Sequence, residues 1–174
     1  MSVVVKGSAP HNLISAPLRT KVYEHAEYRK LVMKNEATVL DTIVGDLSYV
    51  GGCHGTFATP SLFLICLVKL LHLNLSVEIL LEYLHQKDFK YLTVLAAMYV
   101  RLVSQPLVVW KHLEPLLNDY RKIVVRRKDG SYYLTHVDTI VYDLLHEESL
   151  FDVHLPRMPL GRYEMEKAYP TGFE

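Results

Sequence analysis

The chain has 174 residues, of which half are hydrophobic and 22% charged, with 19 lysines and arginines against 19 aspartates and glutamates. One domain of this length hides roughly 70% of the surface its unfolded form exposes, so a core is expected without metals or disulfides, and a disordered or fibrous chain is excluded. With zero formal charge, any hold on a polyanion has to come from local clusters of bases.

Residues 1–17 contain Gly7, Pro10 and Pro17 with little periodicity and are expected to form an irregular arm. They show neither the apolar stretch of a secretory signal nor the amphipathic, arginine-rich pattern of an import signal. Residues 18–174 read as one mainly α, compact multi-helix domain. LRTKVYEHAEYRKLVM (18–33) is a first amphipathic segment, and EATVLDTIVGDLSYV (36–50) a second, with Val39, Ile43, Asp46, Leu47 and Val50 near helical spacing. GGCHGTFATP (51–60) breaks the pattern. Thr59 and Pro60 then suit a helix start, since threonine caps free backbone donors and proline fits the first turn.

The run that follows, 62–75, is the most hydrophobic in the chain, but Lys69, His72 and Asn74 interrupt it well short of the ~20 apolar residues of a membrane span, so it is predicted to be a core helix. Cys66 lies within it, where a buried thiol is the usual occupant. Cys66 and Cys53, the two cysteines, are read as reduced and the chain as intracellular. Ser76 is placed to cap SVEILLEYLHQ, and Asp88 to cap DFKYLTVLAAMYVRLV. In that last segment only Lys90, Arg101 and Ser104 form a polar strip, so it is predicted to be the central buried helix of the domain.

Pro106 opens PLVVWKHLEPLLNDY, where Pro115 removes a backbone donor and predicts a kink. The pattern then changes to KIVVRR and SYYLTH, two β-branched and aromatic runs joined through Asp129 and Gly130, which predicts a small hairpin over about 122–136. Thr135 and Asp138 resemble a capping box opening HVDTIVYDLLHEE, and at most one short helix is expected after Pro156 and Pro159.

Catalytic and metal motifs fit poorly. Cys53 and His54 are sequence neighbours and Cys66 sits in an apolar helix, far from the paired spacing of structural zinc ligands. His146 and Glu147 begin an HExxH pattern, but Leu150 stands where the second histidine belongs. Gly51, Gly52 and Gly55 lack the GK[ST] and the preceding strand of a phosphate loop. Ser131, His136 and Asp138 supply triad chemistry without a nucleophile elbow. No enzyme activity and no cofactor are expected.

Charge pattern is more informative. Residues 121–128 hold five bases and no acid, and residues 138–152 hold five acids and no base. The two runs either face each other or water, or they present separate patches to charged partners. The candidate partner- or RNA-binding residues are Arg121, Lys122, Arg126, Arg127 and Lys128 with Tyr132 and Tyr133, and on the acidic side Asp143, Glu147 and Glu148.

In order and spacing, YVGG (49–52), DFKYLTVLAAMYVRL (88–102), LEPLLNDYRKI (113–123), DG (129–130), HVD (136–138), DLLHEES (143–149) and LPR (155–157) together resemble the pre-mRNA-splicing factor 38 family. The resemblance implies a nuclear, non-enzymatic, mainly α-helical scaffold of the spliceosome, a monomer within a large complex. Such proteins associate with the tri-snRNP or the pre-catalytic spliceosome and support its activation. It also implies docking of other splicing proteins, including a zinc-finger protein and a helical segment of a microfibrillar-associated-type protein. The alternative is a direct RNA binder that grips phosphates through the basic hairpin and stacks bases on Tyr132 or Tyr133.

Overall fold

In the computed structural model, which describes residues 9–159 together with Glu164 and Lys167, helices dominate and three small sheets decorate one side. The elements in chain order are α1 (Ala16–Glu24), α2 (Ala26–Leu31), α3 (Glu36–Asp46), β1 (Val50–Gly51), β2 (Cys53–His54), β3 (Thr59–Pro60), α4 (Leu62–Leu73), α5 (Val77–Leu84), α6 (Lys90–Val103), α7 (Pro106–Leu113), β4 (Lys122–Arg126), β5 (Tyr132–His136), α8 (Val137–His146), β6 (Ser149–Leu150) and β7 (Val153–His154). Short 3-10 turns stand at Pro10–Leu13 and Glu114–Asn118. Among the described residues no helix is long and apolar enough to cross a membrane.

The predicted central helix is found. Residues 92–103 of α6 are all buried, and α3, α4, α5, α7 and α8 pack around it. It shares the centre with α4, buried throughout 63–71. Polar groups inside this core are answered locally. Tyr99, fully buried with its phenol pushed up to about 12 by burial, accepts the Leu75 N–H at 3.2 Å. Lys69 donates to the Val32 carbonyl at 3.0 Å, at the C-terminus of α2. Burial lowers Arg101 to about 10, still cationic at neutral pH, and its Nε donates to the Leu144 carbonyl at 2.7 Å. That carbonyl belongs to the last turn of α8, where the helix leaves acceptors free and a positive charge is favourable.

Several predicted boundaries are corrected. LRTKVYEHAEYRKLVM is two helices, because His25 leaves helical geometry and its Nδ1 accepts the Glu27 N–H at 3.2 Å to cap α2. Val50 does not extend α3, which ends at Asp46, but forms β1. Thr59 and Pro60 lie in β3 rather than at a helix start. Ser61 caps α4 instead, accepting the Leu64 N–H at 3.3 Å while donating to the Gly51 carbonyl at 2.7 Å. Ser76 caps α5 as expected, accepting from Ile79 N–H. Asp88 does not cap α6, which begins at Lys90 with Phe89 at the cap position, one residue too late for the Asp88 carboxylate. Thr135 does not cap α8 either, since it pairs with Ile123 in the hairpin. The first donors of α8 go to backbone instead, Val137 N–H to the Arg121 carbonyl and Asp138 N–H to the Asp119 carbonyl. At Pro115 the α-helix ends and continues as a 3-10 turn. The helix expected beyond Pro159 lies outside the described residues except for Glu164 and Lys167, which are helical, and residues 1–8 of the expected arm also lie outside them.

Truncation at the centre measures this packing. Leu95→Ala or Tyr99→Ala is expected to lower the unfolding free energy by about 2–5 kcal/mol. Tyr99→Phe, which keeps the ring and strands the Leu75 N–H, should cost about 1–3 kcal/mol. Urea denaturation reads both, and unmoved curves would remove α6 from the core.

Candidate docking surface

The hairpin expected from KIVVRR and SYYLTH pairs β4 with β5 antiparallel, from Lys122 against His136 to Arg126 against Tyr132. Its loop is longer than a two-residue turn. Gly130 N–H bonds the Arg127 carbonyl, Gly130 adopts φ +89°, and Asp129 accepts from the Ser131 N–H and hydroxyl at 2.8 and 2.6 Å. A left-handed residue is what such a bulged turn requires, and glycine supplies it without strain. β1 adds a third strand parallel to β4, with Gly51 opposite Arg126, so the sheet runs β1-β4-β5.

Side chains alternate across this sheet. Ile123 and Val125 are buried in the core, whereas Lys122, Arg126, Tyr132 and Leu134 share the other face, where Tyr132 and Leu134 are exposed. There the Arg126 guanidinium lies 5.2 Å from the Tyr132 ring centre and 5.8 Å from that of Tyr49, and the two rings meet edge to face at 5.6 Å. Arg127 sits 4.3 Å over Tyr133. Such contacts contribute about 0.5–1 kcal/mol at exposed sites and hold a cation in place without neutralising it.

Arg121 is different from its neighbours. Its guanidinium chelates the Asp119 carboxylate at 2.5–2.9 Å and donates to the Gln86 and Lys87 carbonyls at 2.8 and 2.9 Å and to Thr93 Oγ1 at 3.2 Å. Those bonds tie the root of β4 to the start of α6, so this side chain is committed to the fold. Lys122 and Arg127 are exposed, and Lys128 pairs with Asp152 at 3.2 Å.

The acidic run meets the basic one at that pair alone. Among the described residues Asp143, Glu147 and Glu148 make no ion pair with the hairpin bases. Asp143 is half-buried on α8. Burial, then the charge of Glu147, push its carboxyl up, against a smaller opposing effect of His146.

Asp152 is a junction. One oxygen takes the Lys128 ammonium, the other accepts the Cys53 N–H at 2.7 Å, and nearby the Gly55 N–H donates to the Lys128 carbonyl at 2.8 Å. Phe151 and Asp152 form the β6–β7 turn in the left-handed region, at φ +50° and +62°, a costly conformation for two residues with side chains. Phe151 is held edge-on against buried Phe63, at 5.6 Å. Gly51 and Gly52 let the chain pass. A Cβ at Gly51 would sit 2.8 Å from the Arg126 carbonyl oxygen, and one at Gly52 would collide with the Asp152 carboxylate. An open cleft of about 370 Å³ runs between hairpin and turn, lined by Arg126, Arg127, Lys128, Tyr133, Phe151 and Asp152.

The structure does not assemble the chemistry that the sequence offered. Ser131 precedes β5 and His136 ends it, roughly 17 Å apart by strand rise. Among the described residues no three His, Cys, Asp or Glu side chains gather as a metal site. Tyr49 and Asp152 complete the surface without having been singled out from sequence. The signal for Tyr49 was the YVGG block, whose glycines announce a close backbone approach, and Asp152 carried none.

Comparison with known proteins agrees with this architecture. The profile of the PRP38 family matches residues 4–167. Pre-mRNA-splicing factor 38A of Mus musculus is 35% identical over 164 residues, covering 94% of this chain and 52% of that protein. Pre-mRNA-splicing factor 38 of Arabidopsis thaliana is 34% identical over 154 residues, covering 88% and 43%. This chain thus spans about half the length of the curated relatives it matches. Among solved structures, a chain of the crystal structure of the Snu23-Prp38-MFAP1(217-258) complex of Chaetomium thermophilum superposes with a TM-score of 0.88 at 32% identity, covering 97% of this chain and 87% of that one.

The commitment of Arg121 has a measurable signature. Arg121→Ala is expected to cost about 1–3 kcal/mol of stability in urea denaturation, and Lys122→Ala no more than about 0.5 kcal/mol. Burial pushes the Asp119 carboxyl up, but the hydrogen bonds and charge of Arg121 outweigh it and hold the group below its ordinary 3.8. A lowered folded-state value stabilises fully above the ordinary one and fades as pH falls through the folded one. The stability gap between the native chain and Asp119→Asn is therefore expected to hold above about pH 5 and to close as pH falls below the ordinary 3.8 through the lowered folded-state value.

Proposed function

As this chain belongs to the PRP38 family, we propose that it acts in the nucleus as a non-enzymatic scaffold of the spliceosome. It holds other splicing proteins in place on the tri-snRNP or the pre-catalytic spliceosome and so supports activation. The partners are a zinc-finger protein of the Snu23 kind and a helical segment of the MFAP1 kind. One observation carries the reading: nearly the whole chain resembles a chain crystallised within the Snu23-Prp38-MFAP1 complex. The surface chemistry supports it. Cations clamped over tyrosine rings beside an open cleft suit recognition of a charged partner.

Binding of the two partner segments to the purified chain tests this. The double variant Arg126→Glu, Arg127→Glu is expected to weaken assembly at least about tenfold while moving the thermal midpoint by no more than about 3 °C. Full-strength assembly of that variant would take the hairpin out of the docking surface. Failure of the unaltered chain to bind either segment would overturn the scaffold reading.

Tyr49, Arg126 and Tyr132 on one open sheet face favour a second reading, contact with single-stranded small nuclear RNA. With Arg121 engaged by Asp119, the phosphate-binding set shrinks to Lys122, Arg126, Arg127 and Lys128. These predict an affinity falling by about 3 log units per log unit of salt. No binding to small nuclear RNA at low salt would eliminate this reading.

A further inference from the structure

We propose that the free edge of β5 is a strand-pairing site, at which an extended acidic segment of a partner protein joins the sheet β1-β4-β5 as a fourth strand. The proposal rests on the docking reading above and names the kind of segment that one edge of the surface takes.

Hydrogen-bond direction establishes which groups are free. The Val124 N–H donates to Tyr91 Oη at 3.2 Å, so the backbone of that residue faces away from β5. The Arg121 carbonyl accepts from Val137 and the Arg127 N–H donates to the Ser131 carbonyl, so 121, 123, 125 and 127 face β5. In the observed register Ile123 opposes Thr135 and Val125 opposes Tyr133. Alternation in an antiparallel ladder then turns the N–H and C=O of Tyr132 and Leu134 outward. None of the described residues bonds the outward N–H and C=O of Leu134.

Proteins usually guard such an edge with proline, charged side chains, a bulge or a covering loop. Tyr132–His136 contains no proline, lysine, arginine or acid, and its ladder against β4 is continuous. Tyr132 and Leu134 are 52% and 58% exposed on one face and Tyr133 39% on the other. An unguarded edge with apolar side chains above and below it is the arrangement used in strand addition, where backbone bonds supply affinity and alternate side chains specificity.

Charge selects the occupant. Lys122 and Arg126 lie on β4 beside β5 and Arg127 in the loop that leads into it, while Asp129 is held by Ser131 and Asp152 is paired with Lys128. A second copy of the chain would bring the same cations to the same place. A nucleic acid strand would answer the cations but not the row of outward peptide groups. An extended segment with acids interleaved among apolar residues answers both.

A synthetic peptide of about ten alternating Glu and Val residues, added to the isotope-labelled full chain, tests the idea by amide hydrogen exchange. The Leu134 amide is expected to slow at least about tenfold, with Tyr133 and Thr135, already bonded to β4, nearly unchanged. Leu134→Pro removes the outward donor at an edge position that tolerates proline, and should abolish binding. Leu134→Ala keeps the donor and should bind within about fivefold. Unchanged exchange at Leu134, or equal binding of an alternating Lys–Val peptide, would overturn the proposal. So would protection of Leu134 that rises with protein concentration alone, which would assign the edge to a second copy, or tighter binding of oligouridylate, which would assign the face to RNA. If the native chain refuses the Glu–Val peptide yet binds the two partner segments, strand pairing fails and the docking reading stands.

Discussion

A helix buried on every side leaves the rest of the chain no choice but to cover it. The interior of α6 has no solvent face, so its polar side chains must be answered from within, and each answer pins another element. Tyr99 holds the start of α5 through Leu75, and Arg101 holds the end of α8 through Leu144. Thr93 takes the 86–89 turn, and Arg121 then joins that turn to the root of β4. The hairpin is therefore rooted in the buried core, although its tip lies at the surface.

Rooting in the core explains how a neutral chain sustains a local excess of positive charge. Long basic side chains on a loose loop would spread among many rotamers and lose entropy on meeting a partner. Here Arg126 rests between two tyrosines and Arg127 over a third, so part of that loss is already met by folding. The rings restrict the guanidinium groups without cancelling their charge. Position and charge are thus set by different neighbours, which an ion pair does not allow.

Long periodic segments were legible in sequence, because the apolar spacing in DFKYLTVLAAMYVRLV and SLFLICLVKLL follows directly from the need to bury a helix. The hairpin was legible for the same reason. Helix starts were less so. Caps at Asp88 and Thr135 are reasonable by residue type, yet the donors of α8 are taken by the backbone of Asp119 and Arg121, brought there by the fold. Two-residue strands such as β1 and β6 are too short to display alternation at all. Arg121 looked like a binding residue because sequence displays charges and not their partners. Asp152 looked like one more acid in a run, with no mark of its three-way role.

The double glycine of the YVGG block gives the surface an unusual genetic profile. Any side chain at Gly52 must evict the Asp152 carboxylate. That would release the Cys53 N–H and Lys128 together and leave Phe151 and Asp152 in a left-handed turn with less to hold them there. Its contact with the buried helices runs through Phe63 of α4, which Phe151 meets ring edge to face. A lesion at Gly52 would accordingly yield a folded protein with a slackened hairpin tip, the kind of conditional allele that grows at low temperature and fails when warmed. It would separate loss of partners from loss of protein.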